Sequence, residues 1–338
     1  MKLPVGKLDS KLLESLVFQN IHCQRQEVIQ RPGIGEDCAV VRYGSYDCVL
    51  STDPITGAVS EIGRLAIHIT LNDIASNGVE PLGIMLAVML PEGTTAEDVA
   101  VIMKQAGEAA REKNVEILGG HTEITPSVRQ PVIVSTAIGK CPAGDSVDSR
   151  NIKEGDRILV TKQVGLEGTG IIASDRGARL GHILTPEELC QAKAMLRLTS
   201  VVTEGVIAGK TGVSGMHDVT EGGLLGAVWE MCHTSGIGAE ILAERVPVAP
   251  VTEKLCRGLD IDVLRLISSG CMLMVVDPAK ACLLMEELKR AGVAVTDIGR
   301  MTKKGAPGVL IRGEDRIRIA PPESDELYKG LERAEKDR

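Results

Sequence analysis

IGRLAIHITLNDIASNG, residues 62–78, reads as a helix with an interrupted apolar face. Ile62, Leu65, Ala66 and Ile69 recur at helical spacing. The next two steps of that face fall on Asn72 and Asp73, and Ser76 and Asn77 lie one turn further on. An ionised aspartate on a core-facing stripe is costly unless something pairs with it. Near a helix C-terminus the macrodipole disfavours it again. A bound cation removes both penalties. A helix that emerges into solvent at its last turn is the alternative reading.

Working outward, residues 8–19 read as an amphipathic helix, followed by a polar connection that ends at Pro32-Gly33. The loop GIGED (33–37) runs into a strand at 38–43, and a second strand, 47–52, stops at Asp53-Pro54. After the helix, PLGIMLAVMLP (81–91) is an unbroken apolar run, read as a strand buried on both faces. Thr94 and Thr95 precede an acidic first turn and a helix to about Lys113. A short strand then delivers GGHTE (119–123) to its end, and residues 131–141 form another strand. Four polar sites are thus expected at element ends: Asp37, Asp53, Asn72-Asp73 and His121-Glu123.

Gly, Ser and charged residues crowd 142–156, which places a domain boundary there. The expected division is 1–145, 151–320 and a charged, solvated tail at 321–338. The second part mixes strands and helices: strands at 157–162, at the start of 211–223, at 236–242, 271–277 and 293–301, and helices opening at 165, after Thr185-Pro186, after the Gly222-Gly223 pair and at 279. The fold class is α/β (α+β) with two domains.

Composition narrows the function. With 338 residues, net charge −8 and 43% hydrophobic residues, the chain suits a soluble globular protein and not a nucleic-acid binder. One Trp, three Tyr and one Phe leave little for base stacking, so a purine pocket would rest mainly on aliphatic and backbone groups. Nine scattered cysteines without a CxxC pair suit a reducing cytosol. MKLPVGKLDSK carries no signal-peptide core, and no apolar run reaches membrane-spanning length.

Several motifs have two readings. GKT at 209–211 is one residue short of a phosphate loop and ends a helical stretch, so it is rejected. GLEGTG (165–170) sits at a strand-to-helix junction, where Gly165 and Gly168 would either cradle a phosphate or serve a tight turn. HDVTEGG (217–223) offers Asp218 and Glu221 as functional acids, or simply a helix N-cap with Thr220 or Asp218 capping. His121 is a ligand, a base or a structural histidine.

Taken in order, GIGEDCAVV, STDPITG, LNDIASNGVEP, ILGGHTEIT and MHDVTEGG resemble the AIR synthase (PurM)-like superfamily over about residues 5–320. GVEP, HDVTEGG and GIGAEI resemble its HypE branch. The resemblance implies a two-domain fold whose N-terminal domains share a β-barrel in a homodimer, with ATP and Mg²⁺ in the cleft. It implies Asp37, Asp53 and Asp73 as magnesium carboxylates, and Asn72 as a residue positioning metal or phosphate. Gly119, Gly120 and Thr122 would shape the phosphate region, and Asp218 would close the site from the second domain. His121, Asp218 and Glu221 are the candidate catalytic residues. His121 and Glu221 depart from the HypE pattern, which has an acidic residue and an arginine there. The HypE C-terminal cysteine has no counterpart in ERAEKDR, so the HypE reaction in its known form is not expected. The implied activity is phosphorylation of an acceptor oxygen, on a small molecule or a protein-borne amide, by a cytoplasmic enzyme. A thiamine-monophosphate-kinase-like activity and a non-catalytic nucleotide-binding protein that serves a maturation partner are the alternatives.

Overall fold

The computed structural model describes Leu3, Gly6 and residues 8–56, 61–322 and 324–336. Gly57 of STDPITG, Glu323 and the last two tail residues, Asp337 and Arg338, lie outside the described residues, as do five of the first seven residues.

Two mixed sheets carry the molecule. The first has the order β1 (Val28–Gln30), β2 (Ala39–Tyr43), β3 (Tyr46–Ile55), β6 (Val132–Pro142), β4 (Pro81–Leu90), β5 (Glu116–Ile124). Helix α2 (Ile62–Ser76) packs against β3, β6 and α3 (Ala96–Glu112). The second sheet joins β7 (Arg157–Thr161), β8 (Gly215–Asp218), β9 (Ile237–Leu242), β10 (Met272–Val276), β11 (Val295–Lys304), β12 (Gly308–Arg312) and β13 (Asp315–Arg318). Around it lie α4 (Leu166–Arg176), α5 (Pro186–Ala194), α6 (Val202–Thr211), α7 (Gly223–Ser235), α8 (Pro250–Gly258), α9 (Pro278–Arg290) and α10 (Glu326–Lys336).

The opening helix forms as expected, and its stop is chemical. Gly78 takes a left-handed conformation, its N–H bonds to Ala75, and the Val79 N–H bonds to Ile74. That is a glycine-terminated Schellman end. Fourteen of its fifteen residues are buried, Asn72 and Asp73 among them, so the polar island does not emerge into solvent. Capping boxes at Thr95/Asp98 and Thr185/Glu188 start α3 and α5 as their sequences suggest.

The two apolar strand runs fare differently. In β10 successive side chains enter different cores, Leu273 and Val275 facing α7, Met272 and Met274 facing α6 and α9. In β4, by contrast, Leu82 and Met85 are half exposed, so the expected burial on both faces is corrected to burial on one. β5 beside it is an edge strand, exposed nearly throughout. GGHTE lies inside that strand and not at its end, and Asp53 lies inside β3, paired with Ser135. Extended backbone simply continues through both motifs.

Helical structure over 10–20 is irregular: α1 (Ser10–Leu12), a π turn at 13–17 and a 3₁₀ turn at 18–20, with no residue buried. The tail differs from a solvated appendage. Leu327 and Ala334 of α10 enter the core formed by α4 and α8, and Arg333 binds the carbonyls of Leu259 and Asp260.

The domains meet along α2 and α6. A Cβ on Gly205 would collide with the Ala75 carbonyl, and one on Gly209 with Gly78. The glycines of the rejected phosphate-loop match therefore let two helices touch. Asn72 stitches the same junction, its amide donating to Thr199 O and its oxygen accepting from Val201 N, both at 2.8 Å. Leaving either buried backbone partner unpaired costs about 1–3 kcal/mol.

Candidate functional site

Four elements bring aspartates to one place at this junction. Asp37 ends the GIGED loop, Asp53 comes from β3, Asp73 from α2 and Asp218 from the end of β8. The loop is seated on the second domain: Thr234 donates to Ile34 O at 2.8 Å, and Gly35, at φ +75°, lies so close to Thr234 and Glu230 that a side chain would push it away. Ser76 donates to Asp37 at 2.9 Å, and Ser51 donates a short hydrogen bond to Asp73. The Cys38 thiol donates to the Asp73 carbonyl at 3.1 Å.

The charges are crowded and dry. Burial is the main cause that lifts the Asp37 carboxyl to about 7, with Asp218 and Glu230 adding to it and His217 opposing. Burial also lifts Asp73 far above the carboxylate range, followed by repulsion from Asp53, Asp218 and Asp37. Burial first, and then the same acids, push the Cys38 thiol up. Asp218 is 1% exposed, and neither carboxylate oxygen has a hydrogen-bond partner. An orphaned buried carboxylate among like charges is what a divalent cation would satisfy. The aspartate oxygens are the hard donors that Mg²⁺ prefers, so these residues fit that ion.

His217 was not singled out from the sequence, although it stands next to Asp218 in HDVTEGG. Its Nε2 lies 2.9 Å from Glu230 of α7, and its Nδ1 lies 3.3 Å from Asp37 and 3.8 Å from Asp218. Burial works against its charge, but the surrounding carboxylates outweigh that and raise it well above an ordinary histidine. Glu230, inside a mainly apolar helix, gave no sequence signal of its own.

Beside Asp37 opens a pocket of about 480 Å³, with Glu221, Glu230, Phe18 and Trp229 in its walls. Trp229 stacks on His233 at 5.2 Å. Glu221 accepts a hydrogen bond from Tyr328 of α10 at 3.1 Å. Three of the five aromatic residues thus gather here, where mainly aliphatic and backbone groups were expected.

The other predicted residues lie elsewhere in this chain. Gly119, Gly120, His121 and Thr122 sit on the exposed edge strand β5, with His121 Nε2 3.4 Å from Glu123. Gly120 is there because a Cβ would strike the Leu86 carbonyl. Gly165 and Gly168 spend their N–H groups on Ser268 Oγ and Ile267 O, and a Cβ on Gly168 would meet Leu266. These glycines serve close packing, and their amides are already engaged within the second domain. Asn72, as described, is engaged by backbone on both sides.

Fold and site together define a two-domain α/β protein with an acidic cluster between its domains. Sequence profiles give the family: residues 35–141 match the AIR synthase related protein, N-terminal domain, and residues 153–312 match its C-terminal domain. This chain belongs to the AIR synthase-related family. It is 29% identical to a putative hydrogenase expression/formation protein of Methanocaldococcus jannaschii, covering 90% of this chain and 91% of that one. It is 30% identical to the carbamoyl dehydratase HypE of Bradyrhizobium diazoefficiens over 78% and 77% of the two chains. Among solved structures, a HypE–HypF complex matches with a TM-score of 0.73 at 23% identity, covering 92% of this chain and 99% of that one. HypE in complex with ATP matches with a TM-score of 0.73 at 20% identity over 96% and 97%. The PurM-like two-domain fold is thereby shown.

Proposed function

We propose that this chain binds Mg·ATP at the interdomain aspartates and transfers the γ-phosphoryl group to an oxygen of an acceptor. The convergence of Asp37, Asp53, Asp73 and the unpartnered Asp218 carries the reading. Phosphoryl transfer relies mainly on positioning and charge neutralisation, and that is what magnesium held by these residues supplies. Ser51 and Ser76 orient two of the carboxylates, and Gly35 keeps the Asp37 loop pressed on α7. The neighbouring pocket admits the acceptor, with Glu221 and Glu230 able to take hydrogen bonds from it. HypE in complex with ATP, and a thiamine-monophosphate kinase complexed with AMPPCP and TMP at a TM-score of 0.68 and 20% identity, support the nucleotide reading.

A homodimer belongs to the same proposal. The edge of β5 and the half-exposed Leu82, Met85, Leu118 and Ile124 form an apolar surface that a second copy would cover. This would bring Gly119, Gly120, His121 and Thr122 to a shared barrel, where the resemblance expects the nucleotide to reach. All nine cysteines are free, as a cytoplasmic setting requires. The HypE–HypF complex favours a second reading, a maturation component that binds nucleotide and a partner protein without turnover.

Phosphorus NMR of ATP with the protein and Mg²⁺ separates the two. A carboxamide or small hydroxyl acceptor is expected to release ADP together with inorganic phosphate or a phosphorylated product. Tight Mg·ATP binding with no turnover for any acceptor would favour the partner-binding reading.

A further inference from the structure

We propose that the His217 end of the cluster is a mixed nitrogen–oxygen site for a transition-series divalent cation such as Mn²⁺, with His217 Nδ1 as a direct ligand beside Asp37 and Asp218. This rests on the reading of the cluster as a cation site and adds which atom ligates and which class of metal follows. Among the described residues, these three form the one group of His, Cys, Asp or Glu whose ligand atoms all lie within 4.8 Å of one another.

The imidazole is already oriented for the task. Its Nε2 faces the Glu230 carboxylate at 2.9 Å, and a carboxylate accepts, so Nε2 carries a proton. Nδ1 is buried, has no hydrogen-bond partner and points at Asp37 and Asp218. Asp218 presents two further buried, unpartnered oxygens. In the metal-free protein a proton on Nδ1 answers these carboxylates, and a divalent cation would take that proton's place between the imidazole and the two acids. A carboxylate behind an imidazole behind a metal is a common way to fix the ring and strengthen the ligand. The Asp53–Asp73 end offers oxygen alone and suits Mg²⁺. A nitrogen donor moves preference away from Mg²⁺ and toward the transition-series ions, of which Mn²⁺ also accepts the site's carboxylates.

The test uses the full chain without nucleotide. Mn²⁺ is added, electron spin-echo spectroscopy is recorded, and Mn²⁺ and Mg²⁺ affinities are measured by calorimetry. Modulation from a directly bound imidazole nitrogen is expected in the wild-type protein. Mn²⁺ should bind at least about tenfold tighter than Mg²⁺, and His217→Asn should erase the modulation and cut that preference to below about threefold. The wild-type spectrum needs no variant to fold, and a melting curve checks His217→Asn. Mn²⁺ bound without nitrogen modulation would overturn the role of His217 and leave the cation site standing. Failure of both ions to bind, even with ATP present, would remove the cation site itself.

Discussion

Asp73→Asn is expected to weaken Mg·ATP binding by at least about a hundredfold, since even the outer partners of metal ligands are worth 10–100-fold. The same change should raise the melting temperature of the free protein. Asp73 is buried at the C-terminal end of α2, where the macrodipole adds to the cost of its charge. Repulsion from Asp53, Asp218 and Asp37 comes on top of burial. Asparagine has the same shape, still accepts from the Ser51 hydroxyl, and is neutral without having to bind a proton. A gain of about 1–2 kcal/mol in the free protein follows, because burial forces Asp73 to bind a proton that the unfolded chain does without, and asparagine needs none. Loss of binding together with gained stability is the signature of a site built at the expense of the fold. Calorimetric titration with Mg·ATP and a melting curve at pH 7.5 measure the two effects. Unchanged nucleotide affinity would remove Asp73 from the site.

The second large effect is on pH. The free protein should lose stability as pH rises from 5 to 8. Burial holds Asp37 at about 7 instead of its ordinary 3.8, and Glu167 in the first turn of α4 at about 7 instead of 4.5. Asp73 and Asp325 move in the same direction. Between the ordinary and the native value the folded state binds more protons than the unfolded one, so stability falls with rising pH. Asp37 alone accounts for at most about 4 kcal/mol across that window. His217 has the same sign: a raised histidine stabilises below its ordinary value, and that stability fades as pH passes the native one. Carboxylates held low by arginine, such as Asp47 beside Arg42 and Glu240 between Arg316 and Arg300, matter only in more acid solution. Urea midpoints at pH 5.5 and 8 should therefore differ, with the acid value higher, and Mg·ATP should restore stability at pH 8. A flat profile would mean that the acids are not buried together.

Much of this was legible because chemistry interrupts pattern. Asp37 and Asp218 stood at strand–loop junctions, and Asp73 broke an apolar stripe. Alternating runs of strand and helix pointed to the mixed α/β character of both parts. Hidden from the sequence were features that depend on tertiary placement. β4 and β10 are equally apolar, yet only β10 is covered on both faces, because coverage depends on which helices pack there. Glu230 looks like one polar residue in a buried helix until β8 brings His217 against it. The charged tail docks through Leu327 and Ala334, two small contributions within a polar segment. Glycine clusters are ambiguous for a related reason: Gly165, Gly168, Gly205 and Gly209 mark close contacts as readily as phosphate sites. His121, weighed as a catalytic residue, lies on the exposed edge, where a single chain gives it no contact with the aspartates.

The central claim is that the interdomain aspartates hold nucleotide through a divalent cation. Titrating ATP into the wild-type protein, once with excess Mg²⁺ and once with EDTA, tests it most directly. Saturable binding with Mg²⁺, and none at the same ATP concentrations with EDTA, is the predicted result. Equal binding in both, or none in either, would contradict it.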